Sequence, residues 1–234
     1  MTDEGIDSKE TLKILLDLLS HDINNHIHGS IGYIDLLEQT MPDDPMLKRF
    51  LGNSTSEIKA ITPLVDNIRL LVNISREPFS GEKVDLIPML MAAREVAKYQ
   101  IGNKDLVIDT VLKEGDLIVK ADRFLRDVFV QILSNSMKSD PSSEVHVEVK
   151  GTVENEKVMI TFEDHGKGIP DSRKENIFTR FRRSIEKGDV NGKGMGLSVV
   201  REVTMRYGGM ATLEDRVKGD HTQGIRVTLD LPLG

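Results

Sequence analysis

The sequence predicts an α+β protein in two parts, a helical hairpin followed by an α/β sandwich. Two observations indicate this. From residue 9 to about residue 76, apolar residues recur every three or four positions, which is the spacing of one face of a long helix. From residue 84 to residue 234, helical periodicity alternates with short runs of strand-like pattern, which is typical of helices layered on a sheet.

The N-terminal part is predicted to be two helices joined by a short loop. A polar lead-in at residues 1–8 precedes a first apolar stripe at 12–37, and a second stripe at 50–72 follows the breaker sequence at 41–45. A single hairpin cannot enclose its own apolar seam. We therefore expect two copies of the chain to form a four-helix bundle, which makes the protein a homodimer.

The C-terminal part follows a short linker at residues 77–83, which contains Pro78 and Gly81. Residues 166–195 are rich in glycine and charge, and they are predicted to form a mobile lid. The expected helices are 87–100, 122–138 and 196–207, and the expected strands are 106–112, 145–151, 157–163, 210–216 and 225–231.

Composition narrows the class of protein without deciding its function. The formal net charge of -7 disfavours a nucleic-acid partner, and the lack of cysteine excludes disulfides and thiolate metal sites. No apolar run approaches the ~18 residues that span a bilayer, and no signal peptide opens the chain. We expect a cytoplasmic location, with any membrane attachment through a sensor segment absent from this chain.

Two glycine clusters, at residues 164–170 and 191–198, are the most informative local pattern. Gly192, Gly194 and Gly196 alternate with other residues and lead into an apolar helical run that begins at Leu197. A pliable loop at a helix start offers free N–H groups and the positive end of the helix dipole, and both suit phosphate. Taken alone, such a loop more often only makes a turn.

Upstream of both clusters, a predicted amphipathic helix carries polar residues on one flank. Gln131, Asn135 and Lys138 recur at i, i+4 and i+7, so their side chains could face a ligand together. An amide oxygen suits Mg²⁺, and a lysine suits phosphate. For this helix alone, a solvated polar flank is the alternative interpretation.

The order of these motifs, over roughly residues 84–232, resembles the ATP-binding domain of sensor histidine kinases, a branch of the ATPase family that includes gyrase, MutL and a heat-shock chaperone. The resemblance implies that ATP and Mg²⁺ bind, that Asn135 coordinates Mg²⁺, that Lys138 contacts phosphate and that Asp164 accepts the adenine amino group. The remaining matches are Gly166 and Gly168 in the first glycine box, Phe178 and Phe181 in the lid, and Gly192, Gly194, Gly196 and Leu197 in the second box.

The first predicted helix carries a candidate phosphoacceptor. At about 100° per residue, His21 lies ~150° from the middle of the apolar stripe, so it is expected to face solvent. Residues 20–25 resemble the phosphoacceptor box of histidine kinases. This resemblance implies that His21 is phosphorylated, that Asp22 holds its other ring nitrogen, and that Asn25 orients water when the domain acts as a phosphatase.

Two positions depart from the family pattern. Gln131 stands where the family places a first asparagine, so it is a weaker candidate metal ligand than Asn135. Hydrolytic relatives have a glutamate base at that place, and glutamine cannot take a proton from water. Transfer to His21 is therefore favoured over hydrolysis. His26 stands where the family usually has proline, which removes the reason for a helix kink there.

These features predict a homodimeric histidine kinase of a two-component system. It would phosphorylate His21 from Mg²⁺-ATP, pass the phosphoryl group to an aspartate of a response regulator receiver domain, and dephosphorylate that regulator. The alternatives are a protein-serine kinase, a hydrolytic ATPase module and a non-catalytic ATP-binding dimer scaffold. The acid lability of a phosphoryl label separates the first of these from a histidine kinase.

Overall fold

The structure, a computed structural model, describes residues 8–40, 44–174, 177–178 and 195–234. The chain divides into two compact units, with the boundary between Glu77 and Pro78. The helices are α1 (Ser8–Thr40), α2 (Pro45–Arg76), α3 (Leu86–Ile101), α4 (Phe124–Ser139), α5 (Asp171–Lys174) and α6 (Gly196–Arg206). The strands are β1 (Glu82–Asp85), β2 (Asp105–Asp109), β3 (Ile118–Ala121), β4 (Glu144–Glu154), β5 (Lys157–Asp164), β6 (Met210–Val217) and β7 (Asp220–Pro232).

The first unit is the helical hairpin of α1 packed against α2. The side chain of Asp44 caps α2 by accepting the backbone N–H of Met46 at 2.8 Å, and a proline occupies the first turn, where no backbone donor is needed. Near the loop end, Tyr33, Leu36 and Phe50 each expose more than half of their surface. Among the described residues, the hairpin therefore leaves apolar surface exposed.

The second unit is a two-layer sandwich around a five-stranded sheet of order β2-β4-β5-β7-β6, in which only β2 and β4 pair in parallel. One sheet face carries buried residues such as Val147 and Phe162, which lie under α3, α4 and α6. The rings of Phe129 on α4 and Phe162 lie 5.4 Å apart. The predicted α+β fold is confirmed.

The opposite sheet face carries charged side chains in pairs. Lys150 donates to Glu148 at 3.0 Å, and Arg226 donates to Glu163 at 2.8 Å. His146 lies 2.8 Å from Asp109 and 3.2 Å from Glu144, and the hydrogen bond to Asp109, followed by that to Glu144, raises the pKa of the imidazole. This exposed layer of charge explains why the face needs no covering helices.

The structure adds one feature that the sequence did not predict. β1 and β3 form a separate antiparallel pair, from Glu82 opposite Ala121 to Asp85 opposite Ile118, and β1 begins inside the predicted linker. Each strand has four residues, too few for a clear alternation of apolar and polar positions.

Within the residues that the structure describes, none of the helices has the length and apolar character needed to cross a bilayer.

Candidate nucleotide and phosphoacceptor sites

One cavity of about 200 Å³ lies in the second unit, between α4, the loop after β5 and the start of α6. Its walls are mostly apolar with a few polar groups, which is the usual composition of a small-molecule site. The lining residues are Asn135, Ser139, Asp164, Lys167, Gly168, Ile169, Ile177, Leu197 and Ile225. Four residues singled out in the sequence, Asn135, Asp164, Gly168 and Leu197, are thus brought together.

The carboxylate of Asp164 is the main polar group of the cavity and is only 3% exposed. Its Oδ1 accepts the backbone N–H groups of Gly166 at 3.1 Å and Ile225 at 3.2 Å, and its Oδ2 accepts the hydroxyl of Ser136 at 3.0 Å. Burial raises the pKa of Asp164, and these hydrogen bonds oppose that rise. Since a carboxylate has about four acceptor directions, one direction on Oδ2 stays available to a ligand.

Close approaches to the end of α4 and to the start of β7 require glycine at both positions of the first glycine box. A Cβ on Gly166 would lie 2.1 Å from the Oγ of Ser139 at the end of α4. A Cβ on Gly168, whose φ is +63°, would lie 1.6 Å from the backbone oxygen of His221 at the start of β7. Only glycine allows the loop to pass between these two elements.

The second glycine box meets the polar flank of α4 at Gly196. A Cβ on Gly196 would lie 2.4 Å from Oε1 of Gln131 and 3.5 Å from Nδ2 of Asn135. The first residue of α6 therefore lies directly on the flank that carries the candidate metal ligands. Gly192, Gly194 and Phe181 lie outside the described residues, and Phe178 is half-buried.

Asp122, just before the start of α4, binds the C-terminal end of α6. Its Oδ2 accepts Nε of Arg206 at 2.9 Å, and its Oδ1 accepts the hydroxyl of Tyr207 at 2.6 Å. Burial, together with this hydrogen bond, raises the pKa of Tyr207, so the phenol stays a donor. Because the end of α6 is tied to the start of α4, the start of α6 is held against Gln131.

The candidate cation ligands are amides rather than a cluster of carboxylates. Across the described part of the chain, no group of three or more histidine, aspartate or glutamate side chains is placed to hold a metal ion. Half-buried Asn135 and Gln131 could each supply one amide oxygen, and this fits Mg²⁺, which usually takes few protein ligands and completes its shell with phosphate and water.

Lys138 follows on the same flank and is an exposed residue. Desolvation around its ammonium group nevertheless lowers the pKa of the amine. A phosphate placed beside it would compensate for the lost hydration and favour the charged form.

In the hairpin, His21 presents its imidazole to solvent, with 71% of the side chain exposed. Its Nδ1 lies 3.2 Å from Oδ1 of Asp22 and 3.2 Å from Nδ2 of Asn25. These partners require different tautomers, since Asp22 accepts an Nδ1–H whereas the Asn25 amide donates to a bare Nδ1. With Asp22 as the partner, the proton is on Nδ1 and the lone pair is on Nε2, which lies 3.5 Å from Nδ2 of Asn25.

Two of the residues that donate hydrogen bonds to Asp164 were not identified from the sequence. Ser136 contacts Asp164 from 28 positions away, and Ile225 contacts it from 61 positions away. The nearest sequence signal is Gly224, whose φ is +92° and whose Cβ would lie 1.9 Å from the backbone oxygen of Asp164.

The chain is similar to known proteins over most of its length. Residues 120–234 match the family described as "Histidine kinase-, DNA gyrase B-, and HSP90-like ATPase". "Signal transduction histidine-protein kinase ArlS" of Staphylococcus epidermidis is 27% identical over 206 residues, covering 85% of this chain and 44% of the relative. "Signal transduction histidine-protein kinase/phosphatase MprB" of Mycolicibacterium paratuberculosis is 24% identical over 234 residues, covering 97% of this chain and 44% of the relative.

A solved structure shares the fold. The chain matches full-length ShkA in complex with AMPPNP with a TM-score of 0.57 and 18% identity, covering 94% of this chain and 46% of ShkA. The chain spans less than half the length of these three proteins. Residues 120–234 therefore match an ATPase family that includes histidine kinases, DNA gyrase B and HSP90, and the chain is similar over most of its length to sensor histidine kinases.

Proposed function

We propose that the protein is an ATP-dependent histidine kinase of a two-component system, which phosphorylates His21 and passes the phosphoryl group to an aspartate of a response regulator. The observation that carries the proposal is an exposed histidine with a carboxylate 3.2 Å from its Nδ1, in a chain that also contains an ATPase domain of this family. Neither feature alone requires a histidine kinase.

The nucleotide is held by the residues around the cavity. The adenine amino group donates to the open direction on Oδ2 of Asp164, and the base packs against apolar side chains such as Ile169 and Leu197. The phosphates lie toward the start of α6 and Lys138, where backbone N–H groups and a cation favour negative charge. Asn135, with Gln131 beside it, would hold Mg²⁺, and the cation would supply positive charge that neutralises the phosphates.

The phosphoryl transfer is a displacement at the γ-phosphorus. Nε2 of His21 supplies the electron pair for the new N–P bond, and the bond between the γ-phosphorus and the bridging oxygen breaks, so that ADP leaves with the electron pair. Asp22 accepts the Nδ1–H and stabilises the positive charge that develops on the ring. In the second step the N–P bond breaks and a carboxylate oxygen of the regulator takes the phosphoryl group.

The same hairpin is proposed to act as a phosphatase and as the dimer interface. Asn25 lies one turn from His21, and its amide could hold a water molecule in line with a phosphoaspartate. The exposed Tyr33, Leu36 and Phe50 support association with a second copy, since the described part of the hairpin leaves this apolar surface exposed. Gln131 cannot act as a base on water, which favours transfer over hydrolysis of ATP.

Incubation with γ-labelled Mg²⁺-ATP tests the proposal. We expect label in the unmodified protein and in a His26→Gln control, and no label in His21→Gln, although all three bind ATP equally. Acid-stable label would indicate a serine kinase, steady release of free phosphate would indicate an ATPase, and failure to bind ATP would indicate a scaffold. Any of these outcomes refutes the proposal.

A further inference from the structure

Ser136, on helix α4, contacts the carboxylate of Asp164, which is the main polar group of the cavity. It lies on α4 directly after Asn135 and is 2% exposed. Its Oγ is 3.0 Å from Oδ2 of Asp164 and 3.2 Å from the backbone oxygen of Ile132. A hydroxyl has one proton, and an ionised carboxylate is a stronger acceptor than a peptide carbonyl. The proton therefore belongs mainly to the bond with Asp164.

The three donors to Asp164 bind different oxygens of its carboxylate. The backbone N–H groups of Gly166 and Ile225 both bind Oδ1, so they fix one end of the carboxylate. Ser136 binds Oδ2, the end that keeps an open acceptor direction. Among the described residues, removing the hydroxyl would leave this oxygen without its protein donor, so that only the two bonds to Oδ1 would orient the carboxylate.

We propose that Ser136 is a positioning residue for nucleotide specificity: its hydroxyl fixes Oδ2 of Asp164 as an outward acceptor, so that the cavity selects a 6-aminopurine over a 6-oxopurine nucleotide. This role of Ser136 rests on the proposed function, because it requires that Asp164 binds the base of the nucleotide. A 6-amino group donates to this oxygen, whereas a 6-oxo group would meet it acceptor to acceptor.

The ionisation of Asp164 supports the same role. Burial raises the pKa of this carboxyl, and the bonds from Ile225, Gly166 and Ser136 oppose the rise, as does the neighbouring His165. Loss of one donor therefore moves the group toward its neutral form. A neutral carboxyl carries an O–H that can donate to a 6-oxo group, so selectivity should fall as that form becomes populated.

Ser134 provides a matched control for a purely structural role. It lies on the same helix, is 4% exposed, and donates to Oε1 of Gln100 on α3 at 3.2 Å rather than to the cavity. Ser134→Ala and Ser136→Ala each remove one buried hydroxyl from α4. Only the second change removes a donor to Asp164.

The test is a calorimetric titration of the full chain with three triphosphates: ATP, GTP and purine riboside triphosphate, which has no 6-substituent. For Ser136→Ala we expect ATP affinity to fall about five- to tenfold, as for loss of part of one charge-assisted hydrogen bond, with the analogue changed less than about twofold and GTP not weakened. Ser134→Ala should shift all three ligands by the same factor.

A second variant, Ser136→Cys, replaces the hydroxyl with a somewhat larger and weaker donor, and its ATP affinity should lie between those of the unmodified protein and Ser136→Ala. Equal losses for ATP and the analogue in the Ser136 variants, or no loss at all, would overturn this inference while leaving the proposed function intact. Failure of the unmodified protein to bind ATP would refute the proposed function and this inference together.

Discussion

Replacement of Gly168 by alanine should destabilise the ATPase domain and weaken nucleotide binding together. Gly168 has a φ of +63°, and an added Cβ would lie 1.6 Å from the backbone oxygen and 2.7 Å from the backbone carbon of His221. The obstacle is backbone, so the loop or the start of β7 has to move. Because Gly168 lines the cavity, that movement changes the shape of the site.

The expected loss in the free energy of unfolding for Gly168→Ala has two parts. An alanine in the left-handed region costs about 1–2 kcal/mol, and the forced displacement adds about 1–3 kcal/mol. Gly115 isolates the first part, because its φ is +88° and nothing lies within 4 Å of an added Cβ. We therefore expect a loss of about 2–5 kcal/mol in the free energy of unfolding for Gly168→Ala and about 1–2 kcal/mol for Gly115→Ala.

The assay is urea denaturation followed by circular dichroism, with and without ATP. The transition that moves to higher urea when ATP is added reports the ATPase domain, since a ligand stabilises only the state that it binds. Gly115→Ala should keep the full ATP shift, and Gly168→Ala should lose most of it. If the two variants were equally stable and equally responsive to ATP, the close approach of Gly168 to β7 would be wrong.

Further substitutions test the candidate metal ligand, the neighbours of His21 and the charged face of the sheet. Asn135→Ala should remove the Mg²⁺ dependence of ATP binding, measured by titration with and without Mg²⁺, and an unchanged Mg²⁺-ATP affinity would exclude Asn135 as a ligand. Asp22→Asn should slow autophosphorylation, whereas Asn25→Ala should spare it and slow dephosphorylation of the regulator; equal loss of both activities in Asn25→Ala would make Asn25 structural. The carboxylates beside His146 raise the pKa of its imidazole, so its contribution to stability is complete below the ordinary value of 6.5 and is lost as the pH rises through the folded-state value. The stability gap between the unmodified protein and His146→Asn should then be larger at pH 5.5 than at pH 8.5, and a gap independent of pH would contradict the assignment.

The elements that the sequence predicts well are those whose pattern is long and local. The stripe of α4 occupies four turns, and its apolar side, including Val128, Phe129 and Leu133, is fully buried. The predicted strand at 145–151 lies within β4, where Val145, Val147 and Val149 alternate with exposed or half-buried residues and face the core. The pair of β1 and β3 escapes prediction because it depends on a contact between Glu82 and Ala121, far apart in a chain that gives no local sign of it.

The residues of the candidate site also differ in whether the sequence alone reveals them. Asn135, Asp164 and the glycine boxes are found because their residue types and order resemble a family, and their individual roles stay predictions. Ser136 has no such signal, because a serine inside a helix is an ordinary polar residue until the fold places a carboxylate 3.0 Å from its hydroxyl. The competition of Asp22 and Asn25 for one ring nitrogen also depends on rotamers that helical spacing leaves open.

The chemical identity and position of the phosphoryl group after reaction with Mg²⁺-ATP show most directly whether the protein is a histidine kinase. Phosphorus NMR of the intact protein, combined with peptide mapping at neutral pH, distinguishes phosphate on Nε2 of histidine from phosphate on Nδ1 or on a hydroxyl. Because Asp22 lies 3.2 Å from Nδ1, we expect a single acid-labile phosphoryl group on Nε2 of His21. A phosphoserine, a phosphoryl group on Nδ1, or a modified histidine other than His21 would contradict the account.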